Sequence, residues 1–292
     1  MNLAIIGLGI WGKKLLITFN KKNKIKYCYT LGNAQNLQWL KKNFPKIKIA
    51  NHINQILTDE NIDAIIIATP IKTHKEIVKK SLINHKHVFV EKPLSKNLAE
   101  SKTLVEIAKK NNLCLFVGNV FLYHPIFFKL KRLLINEKIQ SVSGIWLKTG
   151  TFNEEIILNL LYHEICIINE LVGIPKKIII ENSQKFISKS DIIDVNVIFS
   201  KKIKCHFHIN RISNTKQKSL TIITNKNCYL WQDELLYKFS KRNNQFKLIF
   251  ESKQTALENE SKEFIQASMI NPKKLTNAKT SLEVLKTLCM VS

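Results

Sequence analysis

Two stretches of the chain carry chemistry in their residue types and spacing. Gly7-Leu8-Gly9-Ile10-Trp11-Gly12 is a G-x-G-x-x-G run that follows an apolar strand and opens a helix. In that setting the first glycine permits a tight turn, the second lets the backbone approach a pyrophosphate, and the third lets helix and strand pack closely. The phosphates would rest on the helix N-terminus, where free N–H groups and the helix dipole favour negative charge. The second stretch is Val88-Phe89-Val90-Glu91-Lys92-Pro93, a buried strand ending in a charged pair and a proline. Sites on parallel sheets lie at the carboxyl ends of strands, so Lys92 is expected in the cofactor crevice. A lysine there can donate a proton or a hydrogen bond to a substrate oxygen, the more readily if desolvation lowers its pKa. Ala68-Thr69-Pro70 ends the preceding strand and leads into Thr73-His74.

These residues need strands alternating with helices to position them. The pattern supplies strands at Asn2–Ile6, Ile25–Tyr29, Ile47–Ala50, Asp63–Ala68, His87–Glu91 and Leu113–Val117. Helical patterns fill 11–20, 34–43, 74–84 and 97–110. That alternation predicts βαβ units in a doubly wound parallel sheet, and Ile65-Ile66-Ile67 reads as a strand covered on both faces. After residue 120 the texture changes. Helices are expected at about 124–136 and 154–172. Period-two strands are expected near 177–187, 193–200, 203–209, 219–224, 228–232 and 246–251, followed by closing helices at about 255–270 and 278–290. In the stretch 203–209, Cys205, Phe207 and Ile209 share one face while His206 and His208 share the other. The chain therefore divides into a Rossmann domain over 1–120 and an α+β domain over 121–292 built on an open, mainly antiparallel sheet.

The end of the second strand selects the cofactor, because a carboxylate there bonds the ribose diol of NAD and basic groups admit the NADP phosphate. Here it reads Cys28-Tyr29-Thr30-Leu31-Gly32-Asn33, with neither acid nor arginine. Thr30 and Asn33 can bond a ribose hydroxyl or a phosphate. NAD(P) is the expected cofactor, with the balance toward NAD.

The formal charge of +24 invites a nucleic-acid reading, but only three of the 46 basic residues are arginine and the lysines are scattered along the 292 residues. Such a distribution reads as solvated surface, with no nucleic-acid partner expected. No run of about 18 apolar residues predicts a membrane span. The first residues read as a strand and not as a signal peptide. Six cysteines without a C-x-x-C pair fit reduced thiols and a cytoplasmic protein. His206 and His208 lack a third ligand, so no metal is expected. An open sheet with an apolar outer face is expected to be covered by a second copy, in a dimer or tetramer.

Taken together, Gly7–Gly12, Ala68-Thr69-Pro70, Thr73-His74, Glu91-Lys92-Pro93, the segment Val117–Pro125 and the tail Thr280–Lys286 resemble the glucose-fructose oxidoreductase/inositol dehydrogenase/MocA family over nearly the whole chain. The continuation Gly9-Ile10-Trp11-Gly12-Lys13-Lys14 and the stretches Lys216–Leu220 and Trp231-Gln232-Asp233 are similar to its nucleotide-sugar branch, which includes UDP-N-acetylglucosamine 3-dehydrogenases. The resemblance implies an NAD(P)-dependent sugar oxidoreductase acting in surface-polysaccharide synthesis, with Lys92 as catalytic lysine. It also implies that Thr69, Pro70, His74, Glu91 and Pro93 shape the nicotinamide and ribose pocket. Asn119, Tyr123 and Lys148 would face the substrate. The family carries an aspartate and, four residues on, a histidine on a helix of its second domain. His163 matches that histidine, and Asn159 stands where the aspartate is expected. The spacing puts both on one helical face. The histidine can take a hydroxyl proton, whereas the amide can only orient a partner. Asn159 therefore also supports a second reading, a catalytically weak cofactor-binding partner or regulator.

Overall fold

The structure, a computed structural model, describes residues 1–31, 34–200, 203–270 and 276–291. The chain packs as two units, Met1–Val120 with Leu257–Leu282, and Phe121–Ala256 with Glu283–Ser292.

The first unit holds strands β1 (Asn2–Ile6), β2 (Lys24–Tyr29), β3 (Lys48–Ile49), β4 (Ala64–Ile67), β5 (His87–Glu91) and β6 (Leu115–Gly118). They pair in the order β3-β2-β1-β4-β5-β6, and every pairing is parallel. This is the doubly wound dinucleotide-binding order, whose switch point lies between β1 and β4. Helices α1 (Ile10–Asn20), α2 (Ala34–Asn43), α3 (Asn54–Leu57), α4 (His74–Ile83) and α5 (Leu98–Lys110) make the connections. All four residues of β4 are fully buried, as its apolar run requires. On one side of the sheet Phe19, Phe89, Phe116 and Phe264 meet at ring separations of 5.3–5.9 Å.

Phe264 lies on a late helix, Ala256–Ile270 (α8 below), so residues 257–282, expected with the second domain, pack with the first. The reason is burial: Phe264 is wholly enclosed in this aromatic cluster. Residues of α8 and of the last helix also bond the sheet, as Asn277 does by accepting from the Val117 N–H.

The second unit holds α6 (Pro125–Leu133), β7 (Ile139–Thr149), a π-helical segment Ile157–Leu161 and α7 (Tyr162–Val172). Seven strands follow: β8 (Lys177–Gln184), β9 (Ile192–Ile198), β10 (Lys204–Asn210), β11 (Ile212–Thr224), β12 (Cys228–Gln232), β13 (Leu235–Ser240) and β14 (Gln245–Glu251). The chain then runs through α8 to α9 (Thr276–Leu288). The sheet order is β14-β13-β12-β11-β7-β10-β9-β8, antiparallel except for the β7–β10 pair. Cys205, Phe207 and Ile209 are fully buried, as their alternation predicts.

Two strands escape the sequence pattern, β7 and β13. β7 is interrupted by Gly144, which stands opposite Phe207. A Cβ there would lie 2.5 Å from the Phe207 ring, so the glycine that hides the strand is demanded by its neighbour.

Candidate active site

The glycine turn is built by two contacts within the protein. Gly7 has φ +96°, in the left-handed region, and a Cβ on it would sit 2.5 Å from the Ala68 carbonyl oxygen. A Cβ on Gly12 would sit 2.2 Å from the Gly7 carbonyl oxygen. Gly9 is different. Its backbone is extended, and a Cβ there would meet nothing within 4 Å. Packing explains the outer glycines and leaves the middle one facing open space. The first helical bond of α1 runs from Lys13 N–H to Gly9 C=O at 3.0 Å, so the N–H groups of Ile10, Trp11 and Gly12 have no acceptor within the helix. An open approach above Gly9, backed by donors of a helix N-terminus, fits a dinucleotide pyrophosphate.

Around this turn the unit gathers the other expected residues. The Trp11 indole Nε1 donates to Glu91 Oε1. Glu91 ends β5 opposite Gly118, where a Cβ would come within 2.9 Å of the carboxylate. Glu91 keeps some exposed surface, yet its carboxyl lies among protein groups, and burial pushes it up to about 7 against the opposing pull of Trp11 and Lys92. Glu260 on α8 is fully buried. Its carboxyl is raised well above the usual range by burial and by the neighbouring charge of Glu91. Two carboxyls thus stand within charge range of each other, Glu91 at the end of β5 and Glu260 on α8. The Lys92–Pro93 peptide is cis.

His74 is 1% exposed and joins the two loops flanking the lysine. Its Nδ1 lies 2.9 Å from the Pro93 carbonyl oxygen and its Nε2 2.8 Å from the Thr69 carbonyl oxygen. A neutral imidazole donates at one nitrogen only, so donation to both carbonyls requires the imidazolium. The Thr73 hydroxyl stands 2.7 Å from the Thr69 hydroxyl and 2.8 Å from the Pro70 carbonyl oxygen. Thr30 is partly exposed just after β2, next to Leu31, which is 90% exposed. Asn33 lies outside the described residues. Asn119 is buried at the end of β6, its backbone N–H acting on Glu260.

In the second unit, Asn159 and His163 are both buried, at 8% and 9% exposure. The single helix expected over 154–172 is instead a π-helical segment carrying Asn159, followed by α7 carrying His163. Such π turns concentrate at functional sites. The imidazole packs edge-on to Phe121 at 5.1 Å and tilted on Trp146 at 5.5 Å. Lys218, which sequence reasoning placed only in a loose motif, enters the same cluster. Its ammonium lies 4.2 Å from the Trp146 ring centre and 4.6 Å from that of Phe121, and it pairs with the buried carboxylate of Glu164. Tyr123 and Lys148 are partly exposed.

One further residue went unpredicted. Arg211 is 1% exposed and uses all five of its N–H donors. Nε donates to Asp191 Oδ1, Nη1 to the carbonyls of Thr151 and Glu154, and Nη2 to Ser188 Oγ and the Ser190 carbonyl. Asp191 also accepts from the backbone N–H groups of Phe186, Ile187 and Ser188. The pair fastens segment 150–154, with Gly150 and Thr151 in the left-handed region, just before the helical segment of Asn159. One of three arginines among so many lysines was the available signal.

Residues 1–119 match the oxidoreductase family with an NAD-binding Rossmann fold. Among curated proteins, the myo-inositol 2-dehydrogenase of Thermotoga maritima is 31% identical over 145 residues, 48% of this chain and 42% of that protein. The scyllo-inositol 2-dehydrogenase (NAD(+)) of Bacillus subtilis is 40% identical over 78 residues, 27% of this chain and 23% of that one. The chain thus spans about a quarter to two fifths of the length of these curated relatives. Solved structures match over the full length. UDP-N-acetylglucosamine 3-dehydrogenase GnnA from Acidithiobacillus ferrooxidans superposes with a TM-score of 0.88 at 16% identity, covering 99% of this chain and 95% of that one. KijD10, a 3-ketoreductase from Actinomadura kijaniata, gives 0.86 at 12% identity, covering 100% and 96%. At such identities the likeness establishes the fold. Over residues 1–119 the chain is similar to the Gfo/Idh/MocA oxidoreductase family, described as having an NAD-binding Rossmann fold.

Proposed function

We propose that the protein is an oxidoreductase that moves a hydride between NAD(P) and a ring carbon of a sugar, a nucleotide sugar in particular. The observation that carries this reading is the open space above Gly9, a glycine that protein packing does not demand. Gly7, Gly9, Ile10, Trp11 and Gly12 would hold the pyrophosphate. Thr69, Pro70, His74, Glu91 and Pro93 would frame the nicotinamide and its ribose. The bound cofactor supplies the hydride acceptor or donor. Lys92 hydrogen-bonds the reacting oxygen, His163 takes the hydroxyl proton, and the Asn159 amide orients it.

The nucleotide-sugar part draws on the full-length likeness to GnnA, a UDP-N-acetylglucosamine 3-dehydrogenase, and to KijD10, a 3-ketoreductase solved with TDP-benzene and NADP. A role in surface-polysaccharide synthesis rests only on the resemblance of the sequence motifs to the nucleotide-sugar branch. Assembly into dimers or tetramers is supported by Ile145, Ile223, Phe246 and Leu248, all exposed on strands of the second sheet. No helix among the described residues is long and apolar enough to cross a membrane. The test is a fluorescence titration with NADH and NADPH, followed by UDP-sugars and absorbance at the nicotinamide band. Binding of a cofactor with sugar-dependent turnover that disappears in Lys92→Ala is the expected result. Failure to bind either cofactor removes the reading.

The second reading, a weakly catalytic cofactor-binding partner, rests on the Asn159 amide and predicts cofactor binding with little or no turnover.

A further inference from the structure

β7 and β11 run antiparallel with Lys218 opposite Trp146 and Gln217 opposite Leu147. Trp146 is the ring on which both His163 and the Lys218 ammonium rest. Lys148 lies two residues further along β7, hence on the same face and about 7 Å along the strand. At that level β11 breaks register between Ile212 and Gln217, and Lys216 stands in the bulge, exposed. The charges of Lys216, Glu154 and Arg211 all reach the half-buried Lys148. Burial and the two neighbouring cations disfavour its ammonium, and only Glu154 supports it.

The charges here do not cancel. Arg211 is matched by Asp191, and Lys218 by Glu164. At Lys148 the charge of Lys216 adds to that of Arg211, against the single carboxylate of Glu154. A like-charged neighbour beside a partly desolvated lysine costs free energy that a bound anion would recover. Lysine is a compact, adaptable point charge, suited to a phosphate approaching from solvent.

We propose that Lys148 and Lys216 form an anion subsite that holds a phosphate of the sugar substrate, one strand repeat from the aromatic seat of His163. This deepens the sugar-oxidoreductase reading and rests on it for the identity of the sugar. A phosphate ester on the anomeric carbon lies within a few bonds of the ring hydroxyls, which matches that short separation. The subsite would make the phosphate part of recognition, so a free sugar or cyclitol would lack its main anchor.

Calorimetric titration of the full chain with UDP and with glucose 1-phosphate tests this. The measurements use a Gly9→Val background, so that phosphates cannot occupy the glycine turn. We expect UDP to bind, and Lys148→Gln/Lys216→Gln to weaken it by about tenfold or more, the scale of a lost charged hydrogen bond. Lys148→Arg, which keeps the charge, retains binding, and Lys238→Gln on β13 leaves it unchanged. Glucose 1-phosphate binding with the same lysine dependence shows that one phosphate suffices. UDP binding without it assigns the subsite to a diphosphate. UDP affinity unaltered by the double substitution overturns the proposal. Lysine-dependent UDP binding, with no sugar oxidised by the parent protein that keeps Gly9, removes the oxidoreductase reading and keeps the subsite. Turnover of a UDP-sugar with a KM indifferent to both lysines does the reverse.

Discussion

The Trp11 indole donates to the Glu91 carboxylate, joining the glycine turn to the strand end that carries Lys92 across 80 residues of sequence. Phe in place of Trp11 keeps the ring and deletes the donor. A desolvated carboxylate would then lose one of its hydrogen bonds, keeping that from the Lys92 backbone, at a cost of roughly 1–3 kcal/mol. Urea denaturation of Trp11→Phe should show that loss. NADH titration should show weakened binding, because both loops of the pocket lose their tie. Unchanged stability would mean that the bond contributes nothing net.

The buried carboxyls predict an unusual pH dependence. Glu91 and Glu260 titrate higher in the folded protein than in the unfolded chain, whose value lies near 4.5. The folded state therefore binds more protons across that window. The stability these groups contribute is present below the unfolded value and declines as pH rises through about 7 for Glu91, and through the raised folded value for Glu260. Glu260→Gln, which mimics the neutral acid, should flatten that decline in denaturation curves taken upward from the ordinary carboxylate range. An identical slope in the variant would disprove the coupling.

Gly9 and Gly12 make opposite predictions. Gly12→Ala forces a Cβ onto the Gly7 carbonyl and should destabilise the fold, seen as a lowered melting temperature. Gly9→Val has room and should melt within a degree or two of the parent, a shift of well under about 1 kcal/mol. It should nevertheless lose most NADH affinity. Full cofactor binding by Gly9→Val would contradict the role given to the turn.

Arg211→Lys retains the charge but offers three donors in place of five. Taking the guanidinium from Asp191 and the donors from several carbonyls in a buried site should cost about 3–5 kcal/mol. Burial opposes the Asp191 charge, but the hydrogen bonds it accepts win, so its carboxyl sits well below the usual range. Its stabilising share is full above the unfolded carboxylate value and fades as pH falls through the folded one. Hydrogen exchange over 150–161 should rise in the variant, since that segment loses its anchor. Protection equal to the parent would show that Arg211 does not hold it.

Asn159→Asp restores a carboxylate four residues before His163. If the amide limits turnover, the substitution should raise kcat with little effect on cofactor affinity, measured by stopped assays on a UDP-sugar panel. A drop in kcat would indicate that the surrounding pocket has adapted to the amide.

The first unit was largely legible because its elements are short and strongly patterned. β1 and β5 fall on their expected residues, and Gly7, Thr69, His74 and Glu91 all meet near one end of the sheet. What stayed hidden depends on distant neighbours. The apolar run 154–172 shows no sign of a π turn, since both helical forms bury the same residues. β7 is obscured by a glycine whose reason, Phe207, lies on another strand. Lys218 looks like any surface lysine until β11 pairs it with Trp146. Glu260 reads as an ordinary polar helix position, and only the packing of α8 on the first unit shows it to be enclosed.

That packing has a consequence for how the chain is assembled and could be altered. The Rossmann unit is written in two pieces, with Phe264 and Asn277 supplied from beyond residue 256. Its partner is likewise written in two pieces, a long insert over 121–256 and the closing stretch from Glu283, so the two units are interleaved along the chain. A fragment stopped at residue 120 would lack part of its own core. Exchanging the partner unit for another would require three junctions, near 120, 257 and 283, with the aromatic cluster left intact.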